Sequence, residues 1–402
     1  MLSKVNIQAG IDKQTTTYGA EGRWIDSKNV RFRTGLPEKI GGWSKLIATR
    51  LVGVVRGMKA WYDDGGIRYL AIGTDRKLYV YSEGTAVDIT PIRSTATLNG
   101  PFTSTGNTTI TVAHTSHGAT QGDFVTFSGA TSVGGQDVNN EYQITSVINA
   151  NSYTITHNAN VSSASSAGGS SVTANYQLNI GSATSSYSFG FGTGAWNAGT
   201  WNTPRTSSSI FLEATYWVFD NEGEDLLAMR NNGAVFKWDT SGGTATRAQI
   251  VSGAPTSSRF IVVSNDQHLV CFGTEQTIGT PGTKENTAIR WSNQAVFTDW
   301  VAKPLSETTA GDERIQDGSK IVAACRSRGS ILVWSDTSLN TLTSIGGKYI
   351  FRLQQVGSSC GAISPFCWAE VNGVTYWMSQ TAFYMFDGSV KKLECSVQDF
   401  VF

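Results

Sequence analysis

The chain has 402 residues, and its 31 basic and 31 acidic side chains cancel to a formal charge of zero at pH 7. That balance argues against a free-standing nucleic-acid binder, which carries a basic excess, and no run approaches the ~18 apolar residues of a membrane helix. Charged residues reach only 15%, against roughly 25% in average soluble proteins; the 43 glycines and 11% aromatics suit short strands, tight turns and surfaces covered by partners.

The first segment, Met1 to Asn6, lacks an apolar core, which predicts no signal peptide. Residues 1–50 read as an N-terminal arm plus first strands, with nine Lys/Arg against four Asp/Glu. Trp24, Val30 and Phe32 alternate with Arg23, Arg31 and Arg33, so a strand here has one apolar and one cationic face. Its arginines meet an acidic neighbouring subunit or a DNA channel, or the face is simply solvated. Pro37-Glu38-Lys39 reads as a turn, followed by Gly41-Gly42-Trp43.

From residue 51 a unit recurs. Met58 to Tyr62, the turn Asp63-Asp64-Gly65-Gly66, Ile67 to Ile72, the turn Gly73 to Arg76 and Leu78 to Tyr81 make three strands in hairpin succession; Val87 to Ile89 opens a fourth. The same grammar returns from Tyr216, Phe260, Ile321 and Trp368. A meander repeated at intervals of about 45–50 residues is the signature of a propeller blade. One such sheet cannot bury both faces, so copies stack and cover each other. Asn-Gly and Asp-Gly turns join the strands, and Trp61, Trp217, Trp238, Trp291, Trp334 and Trp377 are placed to fill the wedges between blades. The competing reading is an irregular β-sandwich with coincidental spacing. On this basis 51–95 and 205–402 form a β-propeller-like host, and the chain is all-β.

Between Arg93 and Arg205 there is no lysine or arginine, and the acids are Asp123, Asp137 and Glu141 alone. Alternating runs at Ile110-Val112, Phe124-Phe127, Tyr142-Ile144 and Tyr153-Thr156 mark 96–180 as an inserted small β-sandwich-like module. Ser162 to Ser171, composed of Ser, Ala and Gly, reads as a flexible loop. At 181–204 aromatics are spaced among glycines, including Phe191, Trp196 and Trp201. Such a segment fits an extended path along a neighbour, or a long ordered loop.

Chemistry is sparse. Cys271, Cys325, Cys360, Cys367 and Cys395 are odd in number and lack CxxC spacing, which favours buried thiols in a reducing compartment, although Cys360 and Cys367 lie close enough in sequence to pair. His114 and His117 fall on opposite sides of a strand and share a metal only in a loop. His268 sits in a turn, exposed or locally hydrogen-bonded. Asp299, Asp312, Glu313, Arg314 and Asp317 occupy one polar region, whereas a glycan-cleaving propeller gathers its carboxylates from several blades. Ser335-Asp336-Thr337 after Trp334 faintly suggests the Asp-box of sialidase propellers, without the Gly and Trp that follow it there. The expectation is no catalysis, no metal and no cofactor.

The opening is the most specific signal. Glu21 to Arg33, with Trp24-Ile25-Asp26-Ser27-Lys28-Asn29-Val30-Arg31-Phe32-Arg33, and then Pro37-Glu38-Lys39 and Gly41-Gly42-Trp43, resembles the start of tail proteins of short-tailed bacteriophages, described as phage stabilisation, tail hub or nozzle proteins. The Gly-aromatic run at 190–201 is similar to segments of that family. The resemblance implies a virion structural protein made in the host cytoplasm. It implies a homo-oligomeric ring, hexameric in expectation, below the portal and tail adaptor, passing double-stranded DNA without sequence specificity and helping to retain the packaged genome. A channel for a genome must hold phosphate weakly, which suits overall neutrality. Candidate interface residues are Arg23, Trp24, Arg31, Phe32, Arg33, Glu38, Lys39, Trp43, Phe191, Trp196 and Trp201. The rival expectation is a glycan-binding or glycan-cleaving propeller for host-surface attachment.

Overall fold

A computed structural model describes residues 7–185, 213–304, 307–347 and 349–402. The chain is all-β: a β-propeller-like host of five four-stranded blades, with an inserted β-sandwich-like module. It divides into two compact units, Thr49–Val251 and the N-terminal residues to Ala48 together with Ser252–Phe402.

The arm contributes β1 (Gln8–Ile11), β2 (Arg23–Trp24), β3 (Val30–Arg33) and β4 (Leu36–Lys39). Blade 1 follows as β5 (Val55–Tyr62), β6 (Arg68–Thr74), β7 (Leu78–Ser82) and β8 (Thr85–Asp88). The insert is β9 (Ile92–Leu98), β10 (Phe102–Ser104), β11 (Thr109–Ala113), β12 (Phe124–Ser128), β13 (Glu141–Asn149), β14 (Ser152–Thr156), β15 (Ala164–Ala167) and β16 (Val172–Gln177). Blade 2 is β17 (Trp217–Glu222), β18 (Asp225–Arg230), β19 (Val235–Trp238) and β20 (Gln249–Ile250). Blade 3 is β21 (Phe260–Val263), β22 (Leu269–Phe272), β23 (Ala288–Trp291) and β24 (Gly311–Arg314). Blade 4 is β25 (Ile321–Ser327), β26 (Ser330–Ser335), β27 (Ser338–Ser344) and β28 (Phe351–Ser358). Blade 5 is β29 (Trp368–Val371), β30 (Val374–Met378), β31 (Phe383–Phe386) and β32 (Val390–Leu393), and a single helical turn, α1 (Gln398–Val401), follows.

Each blade is a sequential antiparallel meander. The hairpin turns follow from local chemistry: Asn372 (φ 52°) and Gly373 (φ 79°) both take the left-handed conformation that matches strand twist in a two-residue loop. The tryptophans fill the wedges as expected, and all six are buried. In the 49–251 unit, Trp217 inserts against blade 1 and donates its indole N–H to the Thr74 carbonyl at 2.8 Å. Gly57 and Gly73 make room for it, since a Cβ on Gly73 would lie 2.2 Å from the Trp217 ring. In the other unit Trp291 meets Phe351 edge-on at 5.1 Å between blades 3 and 4, and Trp334 meets Trp377 at 5.6 Å between blades 4 and 5.

The insert's strands form one eight-stranded sheet, ordered β15-β10-β11-β14-β13-β12-β16-β9. β13 carries the chain between its two halves, pairing with β12 through Glu141–Gln143 and with β14 from Ile144 onward. The halves close on a common core in which Phe102 meets Phe127 at 5.0 Å. Two readings need correction. The Ser/Ala/Gly run is not all loop: Ala164–Ala167 pairs with Phe102–Ser104, where small side chains are all that is needed on an edge strand. Each later blade also has a full fourth strand that its exposed polar pattern concealed, as in Gly311–Arg314 and Phe351–Ser358.

Candidate functional site

The arm is pinned at its base and free in its upper part. Asp12 is buried, and its Oδ1 accepts from the amides of Gln14 (3.0 Å) and Thr15 (3.2 Å), while Arg23 reaches its Oδ2 at 3.0 Å. β1 and β2 pair in parallel. The Lys13 amide donates to the Ser396 carbonyl, and the Ser396 hydroxyl returns a bond to the Ile11 carbonyl at 2.7 Å. Burial pushes the Asp12 carboxyl up, but the two amides and the Arg23 charge more than offset it, leaving it below the ordinary carboxylate value.

Beyond Asn29 the chain forms a β3–β4 hairpin with Val30 opposite Lys39 and Arg31 opposite Glu38. The turn lies at Thr34 (φ 49°) and Gly35 (φ 82°), so Pro37-Glu38-Lys39 is strand and not a turn. Proline is tolerated there because the hairpin has only two strands and both are edges. Phe32 leans on Trp24 at 6.2 Å, which half-buries the apolar face. On the other face Arg31 pairs with Glu38 at 3.2 Å. Arg33 and Lys39 form no ion pair among the described residues. Leu36 and Trp43 stand 68% and 96% exposed.

Of the candidate interface residues, Arg23 and Trp24 therefore lie at the pinned base of the arm, Arg31, Phe32, Arg33, Glu38 and Lys39 on its hairpin, and Trp43 beyond it. Arg23 has an internal partner in Asp12, so it anchors the arm. Phe191, Trp196 and Trp201 lie outside the described residues. Sequence reasoning passed over a second surface, on blade 1. Alternate residues of β5 face blade 2, where Lys59 pairs with Asp220 at 2.8 Å and the Trp61 indole donates to the Glu224 carbonyl at 2.8 Å. Met58 and Tyr62 point the opposite way and are 64% and 62% exposed. Arg68 lies over the Tyr62 ring, and Asp63, Asp64 and Glu83 rim the same end of the blade, with Asp64 and Glu83 exposed. The signal was available: Met58 and Tyr62 share one phase of β5 and Val55 and Trp61 the other, so both phases carry large apolar side chains.

The four histidines all have internal hydrogen-bond partners. His114 Nδ1 is 2.7 Å from the Tyr176 hydroxyl, and His117 bonds the Asn149 carbonyl and the Ala119 amide. His268 is buried and held by Ser264 and Thr309, which removes the exposed alternative. Among the described residues no group of three metal-ligating side chains converges. Asp312, Glu313 and Arg314 are consecutive on the exposed strand β24, so Glu313 faces away from its two neighbours. Asp336 takes the Ser319 amide and hydroxyl in a loop clasp. All five thiols are free, and burial pushes Cys271 up to about 12.

No family model matches the chain, and no curated protein matches its sequence. Among solved structures it is similar to the phage phi92 endosialidase, at 13% identity and a TM-score of 0.28, covering 80% of this chain and 52% of that one, so it spans about half that protein's length. A virginiamycin B lyase from Staphylococcus aureus is similar at 8% identity and a TM-score of 0.32, with 84% of each chain covered.

Proposed function

We propose that this chain is a virion structural protein whose copies form the nozzle or hub ring of a short phage tail, around the path by which DNA leaves. The observation that carries the reading is the arm. Its motif residues lie on and before a hairpin fastened at Asp12; Leu36 and Trp43 stand exposed, Arg33 lies opposite Leu36, and Arg33 and Lys39 have no ion pair among the described residues. A monomeric enzyme gains nothing from holding Trp43 in water, whereas an assembly subunit buries such a residue against its neighbour. Contacts between different surfaces of identical subunits close into rings when the rotation permits. The near-neutral chain holds passing phosphate weakly. In this reading the chain has no catalytic role. Labelling it in intact particles tests the proposal: signal on the tail axis below the portal supports it, and signal on peripheral fibres or its absence from particles contradicts it.

A further inference from the structure

The insert carries three of the chain's four histidines, and two of them close one of its ends. There the β11–β12 connection is zipped to the β13–β14 turn. The amides of His114 and His117 donate to the Asn151 and Ala150 carbonyls at 2.9 and 3.3 Å, and the Ser116 amide donates to Asn151 Oδ1 at 3.0 Å. Arg93 of β9 reaches the His117 carbonyl at 3.1 Å. Beneath this end lies a relay of three side chains. The Tyr153 and Tyr176 hydroxyls are 2.8 Å apart, and the Tyr176 hydroxyl is 2.7 Å from His114 Nδ1. Both tyrosines are fully buried, and among the described residues Tyr176 is the sole hydrogen-bond partner of the Tyr153 hydroxyl. Two phenolic protons therefore need two acceptors, and His114 Nδ1 serves as one of them only while its ring is neutral.

We propose that this end of the insert is an acid-sensitive catch, in which protonation of His114 breaks the relay and frees residues 114–122 from the core. The device belongs to the insert and stands apart from the ring reading. A protonated imidazole donates from both nitrogens, so Nδ1 then gives a hydrogen bond to the Tyr176 oxygen. Whichever way the hydroxyls turn, one phenolic proton is left without an acceptor inside the core, and local opening to water relieves it. The charges facing the ring act in the same direction. The Arg93 guanidinium lies over the Tyr176 ring at 5.3 Å, the His117 ring is 6.5 Å from that of His114, and no carboxylate is among the charges that act on it. Burial first, then His117 and Arg93, hold His114 below the ordinary histidine value. The stability that neutral His114 contributes is thus complete above the ordinary value and is lost as pH falls towards the lower folded one. Asp12, held below the ordinary carboxylate value, stays ionised as pH first drops below the histidine range, so this end opens while the arm's anchor holds.

Two readouts on the full-length chain test this between about pH 7.5 and about pH 4.5, a range that spans the histidine titration. Selective labelling makes the four histidine ring signals readable by NMR, and the signal missing from His114→Gln identifies His114. Hydrogen exchange, corrected for its intrinsic pH dependence, reads the backbone of 113–123 and 149–154. The expected result is a His114 titration below the ordinary histidine value, accompanied by a loss of about tenfold in the protection of both segments. His114→Gln, which offers Tyr176 an acceptor that takes no proton in this range, should remove that loss. Arg93→Gln should move the His114 titration upward, because a like charge is gone. Tyr153→Phe combined with Tyr176→Phe removes both phenolic protons and should also abolish the loss. A wild-type His114 that titrates at or above the ordinary value overturns the proposal, whether or not the variants fold. Protection unchanged across the His114 titration overturns it too, as does a loss that persists in His114→Gln.

Discussion

Asp12 is a single carboxylate on which the placement of the whole arm depends. Because its folded value is depressed, its contribution to stability is complete above the ordinary carboxylate range and is lost as pH falls through the lower folded value. Asp12→Asn should therefore loosen residues 13–23 at neutral pH, and acid should do the same to the native chain. Limited proteolysis of that segment reads both, and the main thermal transition should scarcely move. Arg23→Ser should resemble Asp12→Asn, since Arg23 holds the same anchor. Arg33→Ser should leave proteolysis and unfolding unchanged, because an exposed, unpaired cation adds little to stability, and should impair incorporation into particles. Equal behaviour of the two arginine variants would show that the anchor is misassigned. Gly73→Ala probes packing: its Cβ would collide with Trp217, and overpacking of this kind costs about 2 kcal/mol. Chemical denaturation should show that loss, and a neutral result would mean that Trp217 has another seat.

At the level of elements, the insert is joined to blade 1 by a buried charge clamp. Lys77 is almost fully buried and pairs with Asp88 at 2.9 Å and with Glu141 of β13, while Gln177 bonds Glu141 and Arg247 adds a second cation to Asp88 at 3.3 Å. Burial raises the Asp88 carboxyl, but the Lys77 and Arg247 charges bring it below its ordinary value. Lys77→Met should cost about 3 kcal/mol, since it leaves two carboxylates without their shared cation. The insert's ends are adjacent, with the Leu178 amide donating to the Pro91 carbonyl at 2.8 Å. Replacing residues 92–177 with a short glycine linker should thus leave the host soluble, and Lys77→Met should cost less in that shortened chain than in the full one, because only Asp88 remains there as its partner. An equal cost in both backgrounds would contradict the clamp.

Much of this level was legible in advance. Three inner strands per blade declare themselves by apolar runs between Gly or Asn turns, as at Leu226 to Met229 and Val374 to Trp377. Outer strands such as Gly311–Arg314 carry polar side chains that leave no hydrophobic period to read. The clamp had a signal that was not used: Glu141 is one of three acids in the cation-free stretch between Arg93 and Arg205, so a partner from outside that stretch was implied. The Asp12–Arg23 anchor depends on a loop returning the chain to itself, which strand periodicity does not encode.

At the scale of the whole molecule, the proposed ring would supply a neighbour to cover the Leu36 and Trp43 side chains that the arm leaves exposed. An isolated chain should run mainly as a monomer, with association growing with concentration and falling with salt. Sedimentation measures both trends, and a salt-insensitive oligomer at low concentration would point to a different interface. The most direct measurement is imaging of intact particles at a resolution that traces this chain. The expected result is a closed ring of copies on the tail axis, with Leu36 and Trp43 of each arm covered by a neighbouring copy. Copies standing singly at the periphery, with Trp43 still in solvent, would contradict it.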